Sequence, residues 1–165
     1  MPKAVQTMIS SKLAQKLQEQ VGHELGAHQQ YLAIGTYFAQ QNLDKWAALF
    51  YQQAAEEKEH AMKIVRFLTD VGEVVNFPAI PAASTGFKSA ADAVAQALKW
   101  ERTVTEQFQT MAKIALAESD YVGFQFLQWF LEEQVEEVSS MEKYLALVES
   151  GINLFQAEAL LEVEA

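Results

Sequence analysis

The chain of 165 residues contains no cysteine, only three prolines and no long apolar run. Without cysteine there are no disulfides, no thiolate metal ligands and no cysteine nucleophile. No run approaches the roughly 18 apolar residues of a membrane span, and the N-terminal stretch lacks the apolar core of a signal peptide. We therefore expect a cytoplasmic protein that does not bind membranes.

Positive charge is also scarce. Twelve Lys and Arg residues stand against 22 Asp and Glu residues, which gives a formal net charge of −10 at pH 7. Such a chain repels nucleic acid and anionic lipid, so neither is expected as a partner. An acidic composition can serve solubility alone, or it can serve the handling of cations. Composition does not decide between these two interpretations.

Half of the residues are apolar, and they recur at the spacing of helices rather than at the alternation of strands. Four apolar heptad stripes predict four long helices that begin near Ile9, Asp44, Ser89 and Asp120. Asp44 and Asp120 are candidate N-caps. Gly72 and Gly151 are expected to end the second and fourth helices.

A long connection over residues 72–89 separates the second and third helices, and it contains Pro78, Pro81 and Gly86. Extended, it could reach roughly 60 Å, which exceeds the roughly 40 Å of a 28-residue helix. Two helical hairpins joined by one crossover predict an all-α four-helix bundle. We expect one domain over residues 1–165, with the bundle over about 9–150 and a short fifth helix over about 152–162.

Each of the four apolar stripes is interrupted by one polar residue at a heptad position; these residues are Glu24, Glu57, Glu101 and Gln134. The two interruptions of each hairpin are 33 positions apart (57 − 24 and 134 − 101), so they should face each other at one height. His60 and Glu137 follow three residues after Glu57 and Gln134, on the same helix faces. The pattern predicts a polar layer across the core.

Such a layer needs charge compensation, because a buried unpaired carboxylate costs several kcal/mol. Four carboxylates together must either bind cations or stay partly protonated. Two divalent metal ions would neutralise them. Carboxylate oxygens with one or two nitrogen or amide ligands suit iron or manganese, and zinc would bind as well. We expect a dinuclear metal site, with an inert polar layer in a structural bundle as an alternative.

Four segments resemble the helical motifs of the non-haem bacterial ferritins: HELGAHQQY (23–31), EEKEH (56–60), KWERTVTEQ (99–107) and FLQWFLEEQVEE (126–137). The resemblance covers nearly the whole chain, including the crossover and the short last helix. It implies a ferritin-like up-down bundle with ferroxidase activity, which oxidises Fe(II) to Fe(III) with O₂ or peroxide. It further implies iron storage as a mineral inside a homo-oligomeric shell of 24 subunits, with the last helix at a symmetry axis.

The resemblance also implies roles for individual residues. Two iron ions per subunit would bind at Glu24, Glu57, His60, Glu101, Gln134 and Glu137, with Glu137 as the weaker ligand. Tyr31 matches the tyrosine beside the site and takes a catalytic role. Trp129 matches an aromatic residue that helps to deliver electrons, although core packing explains it equally well.

Two departures separate the chain from the related bacterioferritins. Their second Glu-x-x-His motif is here Gln134-x-x-Glu137, and their haem-binding methionine is replaced by Lys58. No haem is therefore expected. A neutral amide at Gln134 weakens one metal position, which fits a site that passes iron onward. The alternative function is a soluble di-iron oxidase or peroxidase that retains its metals.

Some features stay open at this point. Glu56, Glu133 and Glu136 form either a third iron site, as the resemblance suggests, or a solvated acidic face. His28 lies outside the family pattern and is expected to be structural more often than metal-binding. Residues 122–127 contain no acid, whereas animal ferritins line a three-fold pore with acids at this place. The route of iron access is therefore not predicted.

Overall fold

The computed structural model describes residues 6–163. These residues form α1 (Ser11–Ala39), α2 (Asp44–Asp70), α3 (Ala90–Ala117), α4 (Tyr121–Glu149), the one-turn helix α5 (Leu154–Ala157) and a 3₁₀ turn (Glu158–Leu160). Helix α1 packs along α2, α3 along α4, and α1 also contacts α3. The predicted all-α bundle is confirmed. No helix in this part of the chain is long and apolar enough to cross a membrane.

Side-chain caps start three of the four long helices. Ser10 accepts a hydrogen bond from the Leu13 amide, and Ser89 accepts one from the Asp92 amide. Asp120 caps α4 as predicted, with Oδ1 accepting from the Gly123 amide at 2.8 Å. Its other oxygen, Oδ2, accepts from the Ser10 amide at 2.8 Å, so one carboxylate joins the starts of α1 and α4.

The start of α2 differs from the prediction. Asp44 is the first residue of the helix and not its cap, and the preceding residue, Leu43, has no side-chain acceptor. The acceptor comes from the other end of the chain. Glu158 Oε1 accepts from the amides of Lys45 at 2.8 Å and Trp46 at 3.3 Å. A negative charge at a helix N-terminus also interacts favourably with the helix dipole.

Both predicted glycine stops are present. Gly72 has φ of +92° just beyond α2, and Gly151 has φ of +80° just beyond α4. Only glycine adopts this left-handed conformation without a steric penalty from Cβ. The crossover therefore leaves α2 at a defined point.

The crossover runs along α1 and is held there by two glutamine side chains. Gln18 donates to the carbonyl of Val74 at 2.6 Å and accepts from the amide of Asn76 at 3.0 Å. Gln30, three turns later on α1, makes the same pair of bonds with the backbone of Ser84. The connection thus spans the bundle lengthwise, as its length predicted.

Two apolar clusters form the core, one on each side of the predicted polar layer. The first contains Phe38, whose ring stacks on both Trp46 and Phe50. The second contains Leu17, Phe108 and Phe130. The positions of the polar interruptions fall between these two clusters on all four long helices. The layer is therefore enclosed by apolar side chains above and below.

The C-terminal segment, residues 152–163, is less helical than predicted, since its helical turns cover only 154–160. Ala157 and Leu161 are buried in the first apolar cluster, and Trp46 Nε1 donates to the carbonyl of Leu154 at 3.1 Å. The segment therefore packs on its own bundle. Phe155 and Leu160 remain more than half exposed.

The Glu158 cap predicts a long-range contribution to stability. Glu158→Ala removes the acceptor of two amides at the start of α2, so the free energy of unfolding should fall by about 1 kcal/mol. Glu158→Gln keeps an acceptor and should lose less. Urea unfolding followed by circular dichroism measures both variants, with Glu162→Ala as the control on the same segment. Equal stabilities of Glu158→Ala and the control would contradict the cap.

Candidate metal centre

All six predicted metal ligands lie in the layer between the two apolar clusters. These residues are between 1% and 6% exposed: Glu24, Glu57, His60, Glu101, Gln134 and Glu137. Four carboxyl groups and one imidazole are thus removed from water at one height of the bundle. Each long helix supplies at least one of these side chains.

The ligand atoms fall into two overlapping groups. One contains Glu24, Glu57 and His60, and the other contains Glu57, Glu101 and Glu137; within each group the ligand atoms lie within 4.8 Å of one another. Glu57 belongs to both groups, so its carboxylate occupies a bridging position. His60 Nδ1 lies 3.3 Å from Glu57 Oε2 and 4.0 Å from Glu24 Oε2. Groups of this spacing can hold two metal ions.

Gln134 is placed beside Glu101, as its position in the stripe predicted. Its Nε2 donates to Glu101 Oε2 at 3.2 Å and to Thr105 Oγ1 at 3.1 Å. The hydroxyl of Tyr31 donates to Glu101 Oε1. Both oxygens of the Glu101 carboxylate therefore accept from neutral donors. For Gln134 itself to serve as a ligand, its amide would have to turn its oxygen, rather than Nε2, towards the ion.

Two further glutamines bind layer carboxylates and were missed in the sequence. Gln20 Nε2 donates to Glu24 Oε1 at 2.8 Å. Gln53 Nε2 donates to Glu57 Oε1 at 3.1 Å and also to Glu137 Oε2. Each glutamine precedes a predicted ligand by four residues, which places the two side chains on one helix face. This four-residue spacing is the feature of the sequence from which the two glutamines could have been predicted as partners of the layer.

Burial raises the pKa values of three carboxyl groups. Desolvation, together with the nearby Glu57 carboxylate, raises the pKa of Glu24 well above its usual value. Desolvation and the same neighbour raise the pKa of Glu101 to about 7. Desolvation and the Glu101 carboxylate raise the pKa of Glu137 to about 9. At neutral pH the ion-free layer therefore holds protons in place of cations.

Glu57 and His60 behave as the charged pair of the layer. Burial is the largest single influence and opposes charge on both groups, but their mutual hydrogen bond, their charge attraction and the other neighbours together outweigh it. The pKa of Glu57 is lowered, with further hydrogen bonds from Glu24 and Gln53, and the pKa of His60 is raised. The bridging carboxylate is therefore anionic before any ion arrives.

One oxygen of the layer has no amide or hydroxyl donor among residues 6–163. It is Glu24 Oε2, which is fully buried and lies 4.0 Å from His60 Nδ1. In the ion-free layer only the proton that Glu24 shares with Glu57 can satisfy this oxygen, and a buried acceptor without a partner costs free energy. A cation between Glu24 and Glu57 would satisfy this oxygen, so the side chains present fit a metal ion.

An acidic pocket of about 280 Å³ opens between α2 and α4, next to the layer. Five carboxyl groups line it: Glu56, Glu133, Glu136, Glu137 and Glu162. His60, Glu133 and Glu137 form a third group of ligand atoms within 4.8 Å. Glu137 and His60 thus belong both to the layer and to this group. Glu56, Glu133 and Glu136 thus line one pocket, and a third iron site on them stays a prediction.

The remaining predicted residues have distinct surroundings. His28 Nδ1 is 2.6 Å from the carbonyl oxygen of Ala54, so its ring links α1 to α2. Trp129 is 38% exposed, lies edge-on to the His60 ring at 5.4 Å and has Lys63 Nζ 3.6 Å above its ring. Trp129 is therefore a surface residue in contact with a predicted ligand rather than a core residue.

Comparisons with known proteins agree with the geometry. The ferritin-like domain family matches residues 14–150. The chain is 42% identical to Ferritin BfrB of Mycolicibacterium smegmatis, over 91% of this chain and 83% of that protein. It is 38% identical to the bacterial non-heme ferritin of Staphylococcus haemolyticus, over 84% and 83% of the two chains.

A solved structure shares the fold as well. An open pore ferritin from Archaeoglobus fulgidus has a TM-score of 0.88 and 26% identity, and the match covers 94% of this chain and 99% of that one. The chain therefore belongs to the ferritin family. The resemblance to the non-haem bacterial ferritins is confirmed.

The raised pKa values predict that the ion-free protein loses stability with rising pH. Glu101 and Glu137 keep protons in the folded state up to pH values of about 7 and about 9, whereas an unfolded glutamate releases its proton near pH 4.3. The folded state therefore binds more protons across this interval, and its stability falls as the pH rises. His60, with its raised pKa, acts in the same direction.

Urea unfolding of the metal-free protein at pH 5.5 and pH 8.5 measures the effect, which should amount to roughly a few kcal/mol. A saturating divalent cation such as Co(II) should remove most of the loss at pH 8.5, because it replaces the protons. A stability that does not change with pH in the metal-free protein would contradict the protonated layer.

Proposed function

We propose that the chain is an iron-storage ferritin subunit with ferroxidase activity. Fe(II) is its substrate and becomes its cargo after oxidation. Two Fe(II) ions bind at Glu24, Glu57, His60, Glu101, Gln134 and Glu137, and O₂ or peroxide oxidises them. The Fe(III) then moves into the cavity of a cytoplasmic shell of 24 subunits, where it is stored as a mineral.

The overlap of the two ligand groups at Glu57 carries this proposal. A bridging carboxylate holds two ions close together, and a pair of Fe(II) ions can deliver two electrons to one oxidant molecule. Glu24, Glu57, Glu101 and Glu137 supply four negative charges, which match two divalent ions. These carboxylates stabilise the higher charge of Fe(III) as the electrons leave.

The acidic pocket favours release of the product over retention. It begins at Glu137, which already belongs to the layer, and it continues through further carboxylates without a lysine or arginine among its lining residues. An Fe(III) ion that leaves the layer thus meets oxygen ligands at once. The rival function, a di-iron oxidase or peroxidase with permanent metals, gives no role to this pocket.

One experiment separates the two functions. Purified protein is loaded anaerobically with Fe(II), O₂ is added, and the particle mass and the iron retained per particle are measured on the same sample. Storage predicts a large particle that retains many more than two iron ions per chain. A small particle that keeps two ions and consumes a separate substrate would support the di-iron oxidase instead.

Glu57→Ala should abolish rapid Fe(II) oxidation. The change removes the bridging carboxylate, so the initial rate should fall by at least about 100-fold. The variant should still fold, because it deletes a buried charge from a crowded acidic layer. Stopped-flow absorbance measures the rate, with Glu59→Ala as an exposed control on the same helix. Wild-type rates in Glu57→Ala would refute the assignment.

Tyr31→Phe should alter the oxidation kinetics without loss of the site. Glu101 Oε1 loses its hydroxyl donor, and a hydrogen bond to a carboxylate is worth enough to change a rate or affinity by about tenfold. Shell assembly and the number of bound ions should be unchanged. Stopped-flow traces compare Tyr31→Phe with Tyr37→Phe, a tyrosine on the same helix. If both variants follow the wild-type trace, Tyr31 has only a packing role.

A further inference from the structure

Gln53 lies between the buried layer and the acidic pocket. It is half-buried one turn before Glu57 on α2, and its side chain lines the pocket. Its Nε2 donates to Glu57 Oε1 at 3.1 Å and to Glu137 Oε2. A side-chain amide has two N–H donors, so these two carboxyl groups use both of them.

The two partners of Gln53 are the carboxyl groups that are shared between ligand groups. Glu57 belongs to the group with Glu24 and to the group with Glu101, and Glu137 belongs to the latter and to the group with Glu133. Glu137 and His60 are the residues that the layer shares with the pocket group. The second ion position of the layer consists of Glu57, Glu101 and Glu137, so it is complete only where Glu137 lies close to Glu57.

The neighbouring glutamine makes a useful contrast. Gln52 Nε2 donates to Glu56 Oε1 at 3.4 Å, and it lines the same pocket. Glu56 belongs to none of the three ligand groups found among residues 6–163. Each of these adjacent glutamines thus donates to the glutamate four residues later on the helix. Of the two, only Gln53 contacts carboxyl groups of the layer.

We propose that Gln53 is a positioning residue that holds Glu137 against Glu57 and so completes the second ion position, formed by Glu57, Glu101 and Glu137. This role rests on the proposed function, since it assumes that the layer binds two divalent ions. Gln53 does not itself bind an ion. Neutral donors that orient metal ligands commonly contribute about 10-fold to 100-fold in metal affinity.

The test uses Gln53→Met, which keeps an unbranched side chain of similar length and removes both donors. Co(II) is titrated anaerobically into the intact protein, and binding is followed by calorimetry and by the visible spectrum. The spectrum distinguishes an ion with the His60 imidazole as a ligand from an ion with oxygen ligands only. Gln52→Met is the matched control, and Gln53→Asn, whose amide is one methylene too short, is a second variant.

In Gln53→Met and Gln53→Asn, the second ion should bind about tenfold more weakly. The first ion, at Glu24, Glu57 and His60, should lose clearly less affinity, because Glu57 keeps its contact with His60 when the Gln53 donor is removed. Gln52→Met should bind both ions as the wild type does. Wild-type affinity for the second ion in both Gln53 variants overturns the proposal. An equal loss at both positions, or an equal loss in the Gln52 control, overturns it as well.

The outcome for the wild-type protein separates this inference from the function on which it rests. Two Co(II) ions per wild-type chain, with no difference in the Gln53 variants, would refute only the positioning role. No Co(II) binding in the wild type would refute the dinuclear site itself. Thermal unfolding of each metal-free variant shows whether a change in affinity reflects a local effect, for which the midpoint should stay close to that of the control.

Discussion

Charge compensation in a dry layer is the constraint on which the rest of this structure depends. Glu24, Glu57, Glu101 and Glu137 are each at most 5% exposed, with apolar clusters on both sides. Four anions could not coexist there, because their repulsion and desolvation would exceed the stability of the bundle. The ion-free protein resolves the conflict with protons, and divalent cations would resolve it with ligand bonds. On the proposed function, binding of metal is an exchange of cations for protons.

The hydrogen bonds around the layer leave its carboxyl groups able to bind cations, because the donors are neutral. Gln20, Gln53 and Gln134 donate to the carboxyl groups, and Tyr31 adds a hydroxyl donor. These neutral donors orient the oxygens without cancelling their charge. Among residues 6–163, no lysine or arginine forms an ion pair with a carboxyl group of the layer. The ion pairs of the layer are those of His60 with Glu24 and Glu57. A lysine or arginine in these places would have satisfied the carboxylates and closed the site to metal.

The layer could be predicted from the sequence because its members break a regular pattern. A carboxylate in an apolar heptad stripe is costly, and four such breaks at matching heights identify one site. The glutamines were harder to predict, because Gln52 and Gln53 have the same spacing to an acidic residue and only the structure shows which one reaches the layer. The sequence therefore predicts the side chains of the layer but not the glutamines that donate to them.

Contacts between distant parts of the chain were not predictable. Glu158 caps α2 from more than 100 positions away in the chain. Nothing in the sequence near Asp44 indicates that a distant residue, and not Asp44, caps this helix. The same applies to the C-terminal segment, of which Ala157 and Leu161 are buried on the bundle while Phe155 and Leu160 stay exposed. Local periodicity specifies helices, whereas the packing of a short segment depends on how its side chains fit the surface of the folded bundle.

The most direct test of this account is a count of ions and protons during anaerobic Fe(II) binding at pH 7. Calorimetry in buffers of different ionisation enthalpy gives both numbers on one sample. The account predicts two Fe(II) ions per chain, with protons released as the Glu24, Glu101 and Glu137 carboxyl groups become ligands. Binding of a single ion, or of two ions without proton release, would contradict the exchange of protons for cations in the buried layer.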